Sequence, residues 1–135
     1  NSIQIKSLVK LLKYIKFQYK IKKRNVLGHS DIASMRKIDP GEKFPWNILE
    51  KNKLVYLPKI KRINNSINTE SIKLTDYKIR LKSMGYNIKI NNKKDNIFEN
   101  IVRSFQMHYQ QDFVTGYPNE KTFLLLDKFC KDMID

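Results

Sequence analysis

Between residues 28 and 46 the chain reads G-H-S-D-I-A-S-M-R-K-I-D-P-G-E-K-F-P-W, and no other stretch is so closely specified by residue type. His29, one of two histidines, follows the apolar pair Val26-Leu27, and residues 25–29 read as a short strand ending on the imidazole. Asp39 stands ten positions later, with Lys37 two positions before it and Pro40-Gly41 behind it. Proline excludes the helical region for the residue before it and glycine accommodates a tight turn, so Asp39 is held by its own backbone. A neutral imidazole and a carboxylate both bind zinc at about 2 Å. By residue type alone the pair admits two readings: part of a metal site, or a histidine fixed by a structural hydrogen bond.

Upstream of this run, Ile3, Leu8, Leu11, Leu12, Ile15 and Tyr19 recur at helical spacing opposite Lys6, Lys10, Lys13, Lys16 and Lys20. The pattern predicts an amphipathic helix of about four turns, packed on one face of a sheet with its lysines in solvent. Within the run, Arg36 is placed to pair with Asp31 and brace the loop. Downstream, a short helix follows Trp46, a core anchor, over residues 47–51, and Leu54-Val55-Tyr56-Leu57 forms an apolar patch. Residues 53–70 then lose periodicity around Asn64-Asn65-Ser66 and read as a linker.

A second periodic block starts near Ser71. Leu74, Tyr77, Leu81 and Met84 mark one helix that stops at Gly85, and Ile97, Ile101, Phe105 and His108 mark another. After the turn Gly116-Tyr117-Pro118, Asn119 caps a third helix carrying Phe123, Leu126, Phe129, Cys130 and Met133. His108 reads here as a helix-face residue and not as a metal ligand. Three helices around one small core are enough for an independent module of about 65 residues.

The 28–46 run resembles the G-H-S-D-I-A-x-x-R-K-x-D-P-G-x-x-F-P-W segment of zinc-dependent N-acetylmuramoyl-L-alanine amidases, the peptidoglycan hydrolases related to peptidoglycan recognition proteins. Ser34-Met35 replaces the Pro-Gly usual in that family. The second block is similar to the helical peptidoglycan-binding domain often attached to such amidases. Its motifs are L-x-x-x-G-Y at residues 81–86, F-Q-x-H-Y at 105–109 and G-x-P-x-E-x-T at 116–122. The resemblance implies that His29 and Asp39 are zinc ligands and that Lys37 stabilises the oxyanion. It also implies that the family's other zinc histidine and its general base lie upstream of residues present here.

The fold expected is therefore mostly α. Residues 1–52 are an incomplete α/β amidase domain (helix plus strand and metal loop), 53–70 a linker, and 71–135 a small three-helix module. The function implied is cleavage of the amide bond between N-acetylmuramic acid and L-alanine by zinc-activated water, with this chain inactive without an upstream polypeptide that completes the domain. The competing expectation is a non-catalytic module that binds peptidoglycan and carries a degenerate amidase remnant. Peptidoglycan or muropeptides are the expected partners, and a bacterial cell envelope, periplasmic or outer-membrane associated, is the expected location. No signal peptide stands at the start, which is Asn rather than Met, so further polypeptide is expected to precede it.

Composition narrows the alternatives. Of 27 basic residues against 13 acidic ones, giving a net charge of +14, 22 are Lys. They are spread along the chain, and arginine, the usual reader of bases and phosphate forks, is scarce, so a nucleic-acid partner is disfavoured. No apolar run has the 18 or so residues of a membrane span. A single cysteine, Cys130, excludes an internal disulfide and a cysteine-based metal site.

Overall fold

The computed structural model describes residues 2–60 and 71–134, and residues 61–70, the second half of the expected linker, lie outside the described residues. Every regular element among them is helical: α1 (Ser2–Tyr19), α2 (His29–Ile32), α3 (Trp46–Lys51), α4 (Leu74–Ser83), α5 (Asn96–Tyr109) and α6 (Glu120–Ile134), with a 3-10 turn at Lys23–Asn25. The mostly helical expectation is met, and the strand at residues 25–29 is corrected. Val26 and Gly28 are extended in backbone angle, yet no neighbouring strand among the described residues completes a ladder. His29 instead opens α2. An extended segment becomes a strand only when its N–H and C=O groups find a partner strand. No described helix is long and apolar enough to cross a membrane.

The chain packs as two compact units, Asn1–Leu27 with Phe44–Leu57, and Gly28–Lys43 with Pro58–Asp135. In the first, Trp46, Leu49, Leu54 and Val55 are buried, and Leu8, Val9 and Leu12 of α1 pack against them. The Phe44 and Trp46 rings meet edge to face with centroids 4.7 Å apart. Trp46 thus anchors a core, as the sequence expects. The partner of α1 is this apolar cluster and not a sheet. Ile3 and Tyr19, which the spacing puts on the packed face, are 71% and 72% exposed, so the packed face of α1 is shorter than its apolar stripe.

In the second unit, Tyr77 and Leu81 of α4, Phe98, Ile101, Val102 and Phe105 of α5, and Leu125 and Leu126 of α6 share one buried cluster. The helix starts carry side-chain caps, that of Asn119 as the sequence expects and that of Asp95 in addition. The Asp95 side chain accepts from the Phe98 N–H at 3.0 Å, and that of Asn119 accepts from the Thr122 N–H at 2.9 Å. Each satisfies an orphan donor of a first turn. Buried Gln106 holds the 115–117 turn from inside: its amide nitrogen donates to the Tyr117 carbonyl and its oxygen accepts from Thr115 and Gly116, all at 2.9 Å. Gly116 has a φ of +83°, and a Cβ there would lie 3.1 Å from both Arg103 Nη2 and the Glu99 carbonyl. Only glycine fits that turn without strain. Buried Lys78 donates to Asn91 Oδ1 at 2.6 Å and to the Lys93 carbonyl, which fixes the basic stretch between α4 and α5.

Candidate functional site

The loop that leaves α2 turns back on itself. The Ala33 carbonyl accepts from Arg36 and Lys37 at 2.8 and 2.9 Å, and the Ser30 N–H donates to the Asp39 carbonyl at 2.9 Å. Gly41, at φ +81°, then turns the chain away. This closure sets His29 beside Asp39, with Nδ1 to Oδ2 at 3.1 Å and side chains 49% and 62% exposed. In the ion-free pair the imidazole donates and the carboxylate accepts. Two donors about 2 Å from one tetrahedral zinc lie roughly 3.3 Å apart, so the same geometry suits shared ligation. The pair fits as two members of a metal set. Among the described residues no third His, Cys, Asp or Glu completes it. The Lys37 side chain is exposed on the same loop.

Asp31 does not brace the loop through Arg36. Its two carboxylate oxygens are occupied elsewhere: Oδ1 accepts from the Tyr86 hydroxyl at 3.0 Å, and Oδ2 accepts from the Gly28 N–H at 2.7 Å and contacts His108 Nδ1 at 2.7 Å. A carboxylate only accepts, so His108 carries its proton on Nδ1. The Asp31 and His108 side chains are 4% and 2% exposed, and the His108 ring stacks on Tyr109 at 3.9 Å. Residue reasoning placed His108 on a helix face and missed this partner. The signal was its place on the stripe Ile101–Phe105–His108, because an imidazole on a buried stripe requires a bonded partner. A cleft of about 310 Å³ opens beside the network, with Met35, Arg36, Asn87 and Ile97 in its walls.

Burial, then the charge of Asp31, pushes the Tyr86 hydroxyl well above its ordinary value of 10. The folded protein therefore holds this proton where the unfolded chain releases it. The corresponding stability is fully present below pH about 10 and is lost as pH rises beyond it. Tyr86→Phe is expected to cost about 1 kcal/mol at neutral pH through the lost hydrogen bond. It should also flatten the alkaline fall in stability, read from urea unfolding at pH 8 and pH 11. An unchanged alkaline slope would refute the assignment.

Comparison with known proteins defines the class. Residues 1–42 match the family described as N-acetylmuramoyl-L-alanine amidase, and residues 73–126 match the one described as "Putative peptidoglycan binding domain". The chain is amidase-like in its first part, followed by a domain of the peptidoglycan-binding type. Among individual proteins, N-acetylmuramoyl-L-alanine amidase AmiD of Escherichia coli strain K12 is 30% identical over 142 residues, which cover 96% of this chain and 49% of AmiD. The structure of E. coli AmiD in complex with anhydro-N-acetylmuramic acid-L-Ala-D-gamma-Glu-L-Lys superposes with a TM-score of 0.81 at 28% identity, over 96% of this chain and 51% of that one. AmpDH3 of Pseudomonas aeruginosa superposes with a TM-score of 0.86 at 28% identity, over 98% of this chain and 54% of its own. This chain thus spans about half the length of the relatives it matches.

Proposed function

We propose that the chain contributes part of the catalytic centre of a zinc-dependent N-acetylmuramoyl-L-alanine amidase, together with a module that holds it to peptidoglycan in the cell envelope. The observation that carries this reading is the His29–Asp39 pair, brought to 3.1 Å by loop closure and left open to solvent. His29 and Asp39 would hold the ion, which would supply Lewis-acid chemistry at a carbonyl and a bound water whose pKa is lowered to about 7. Lys37 would offer positive charge to the carbonyl oxygen as negative charge develops on it during attack. The bond cleaved would join N-acetylmuramic acid to L-alanine. The reading takes the remaining ligand and the general base from outside the described residues.

The lack of a three-ligand group among the described residues favours a second reading for the chain on its own. In that reading residues 71–135 bind peptidoglycan and the loop is catalytically inert. Zinc calorimetry on the full chain separates the two. Micromolar binding, weakened at least tenfold in both His29→Ala and Asp39→Ala, is expected, and hydrolysis of sacculi should appear only when the upstream polypeptide of an AmiD-type enzyme is added. Absent or variant-insensitive zinc binding, with retention on sacculi that survives chelation, would instead leave a binding module alone.

A further inference from the structure

The segment that carries His29, Lys37 and Asp39 is tied near both ends to the last turn of α5 and the residues that follow it. At its start, Asp31 meets His108 Nδ1 at 2.7 Å, with the Tyr86 hydroxyl on its other oxygen at 3.0 Å. At its end, Gln111 Nε2 donates to the Glu42 carbonyl at 2.6 Å. His108 lies in the last turn of α5, and Gln111 follows two residues beyond the end of that helix, past the Gln110 cap. Met107 of the same turn walls a shallow cleft of about 400 Å³ with Ile38, Pro40 and Gly41. Asp39 lies between the ties, three residues before Glu42, and His29 stands just outside them, two residues before Asp31.

We infer that His108, with Gln111 as the second tie, is a positioning residue for the His29–Asp39 pair, so that α5 of the peptidoglycan-binding-type domain is the back wall of the metal loop. The assignment of the pair as ligands rests on the proposed function above. The tie itself rests on the contacts. Ligands are useful to a metal only when surrounding groups hold their orientation, and loss of such groups typically weakens binding by about 10- to 100-fold. The His108–Asp31 contact is polar, with both side chains almost fully enclosed, and apolar packing between the same elements would not fix the direction of a carboxylate. The carboxylate in turn accepts the Gly28 N–H, and so sets the backbone at the residue before His29. The loop Gly28–Lys43 and the wall-binding-like segment are on this view one mechanical piece, and the second cannot be removed without loosening the first.

The test uses the full chain and three variants: His108→Ala, His108→Asn, whose amide nitrogen stands near Nδ1, and Gln111→Ala. Backbone amide exchange is followed at Ser30, whose N–H closes the loop on Asp39, and at α4 and α6 amides as a folding control. Zinc affinity is measured in parallel. His108→Ala and Gln111→Ala are expected to speed Ser30 exchange at least tenfold with the α4 and α6 amides unchanged. Zinc affinity should fall roughly tenfold, and His108→Asn should recover most of both effects. If His108→Ala also exposes the control amides, Gln111→Ala beyond the end of the helix decides the question. Ser30 protection and zinc affinity equal to wild type, in any variant that keeps its control amides, overturn the inference. A failure of the proposed function looks different, because then the wild-type chain itself binds no zinc.

Discussion

Asp31→Ala is expected to lower the unfolding free energy of this protein by about 3–5 kcal/mol, the cost of breaking a buried charged contact by removing one partner. The Asp31 carboxylate gathers the Gly28 N–H, the Tyr86 hydroxyl and His108 Nδ1, and its side chain is 4% exposed. Alanine leaves those donors without their acceptor, and each buried orphan costs about 1–3 kcal/mol. Asn at the same position keeps one acceptor oxygen but turns an NH2 group toward a donor, so Asp31→Asn should fall between wild type and alanine. Asp39→Ala is the contrast. That side chain is 62% exposed, and its loss should cost within about 0.5 kcal/mol. Urea unfolding followed by far-UV ellipticity checks the series, with a shift in midpoint at constant slope marking a true stability change. A loss under about 1 kcal/mol for Asp31→Ala would show that water enters the site and that the network is less buried than its geometry indicates.

The same residue shows where sequence reading reaches its limit. Asp31 and Arg36 lie close in sequence and oppose each other in charge, so the local reading joins them. The actual partner, His108, stands 77 positions away, and one sequence holds no signal that pairs residues at that distance. Local features were readable because their causes are local. The first helix, Gly85 just beyond α4, the Asn119 cap and the burial of Trp46 each follow from residue type and spacing. The His29–Asp39 proximity lies between these cases. The motif announces it, and the Ser30-to-Asp39 backbone bond achieves it, but neither residue type nor periodicity predicts that bond. The strand at 25–29 was misread because a short apolar segment is a strand only in company. Likewise F-Q-x-H-Y reads as one motif, yet its members do different work. Phe105 fills the core, Gln106 holds the 115–117 turn, and His108 reaches Asp31 at the start of the 28–43 loop.

Phe105→Ala should produce an effect of similar size through a different cause. The ring is 0% exposed within the cluster formed by α4, α5 and α6, with its centroid 4.9 Å from that of Tyr109. Truncating a fully buried phenylalanine costs about 3–5 kcal/mol, transfer of the lost atoms plus the cavity left behind. A domain of this size has roughly 5–10 kcal/mol to lose, so the variant should be marginal at 37 °C. Phe105→Leu keeps most of the volume and should cost about 1–1.5 kcal/mol. The two substitutions also probe the loop, because His108 lies one turn of α5 beyond Phe105 and depends on that helix for its place. At urea concentrations that open α5 in Phe105→Ala, the Ser30 amide should exchange with the α5 amides, and zinc affinity should fall together with both. If Ser30 stays protected while α5 is open, the loop holds its own shape, and the buried Asp31–His108 contact follows from the fold without supporting it.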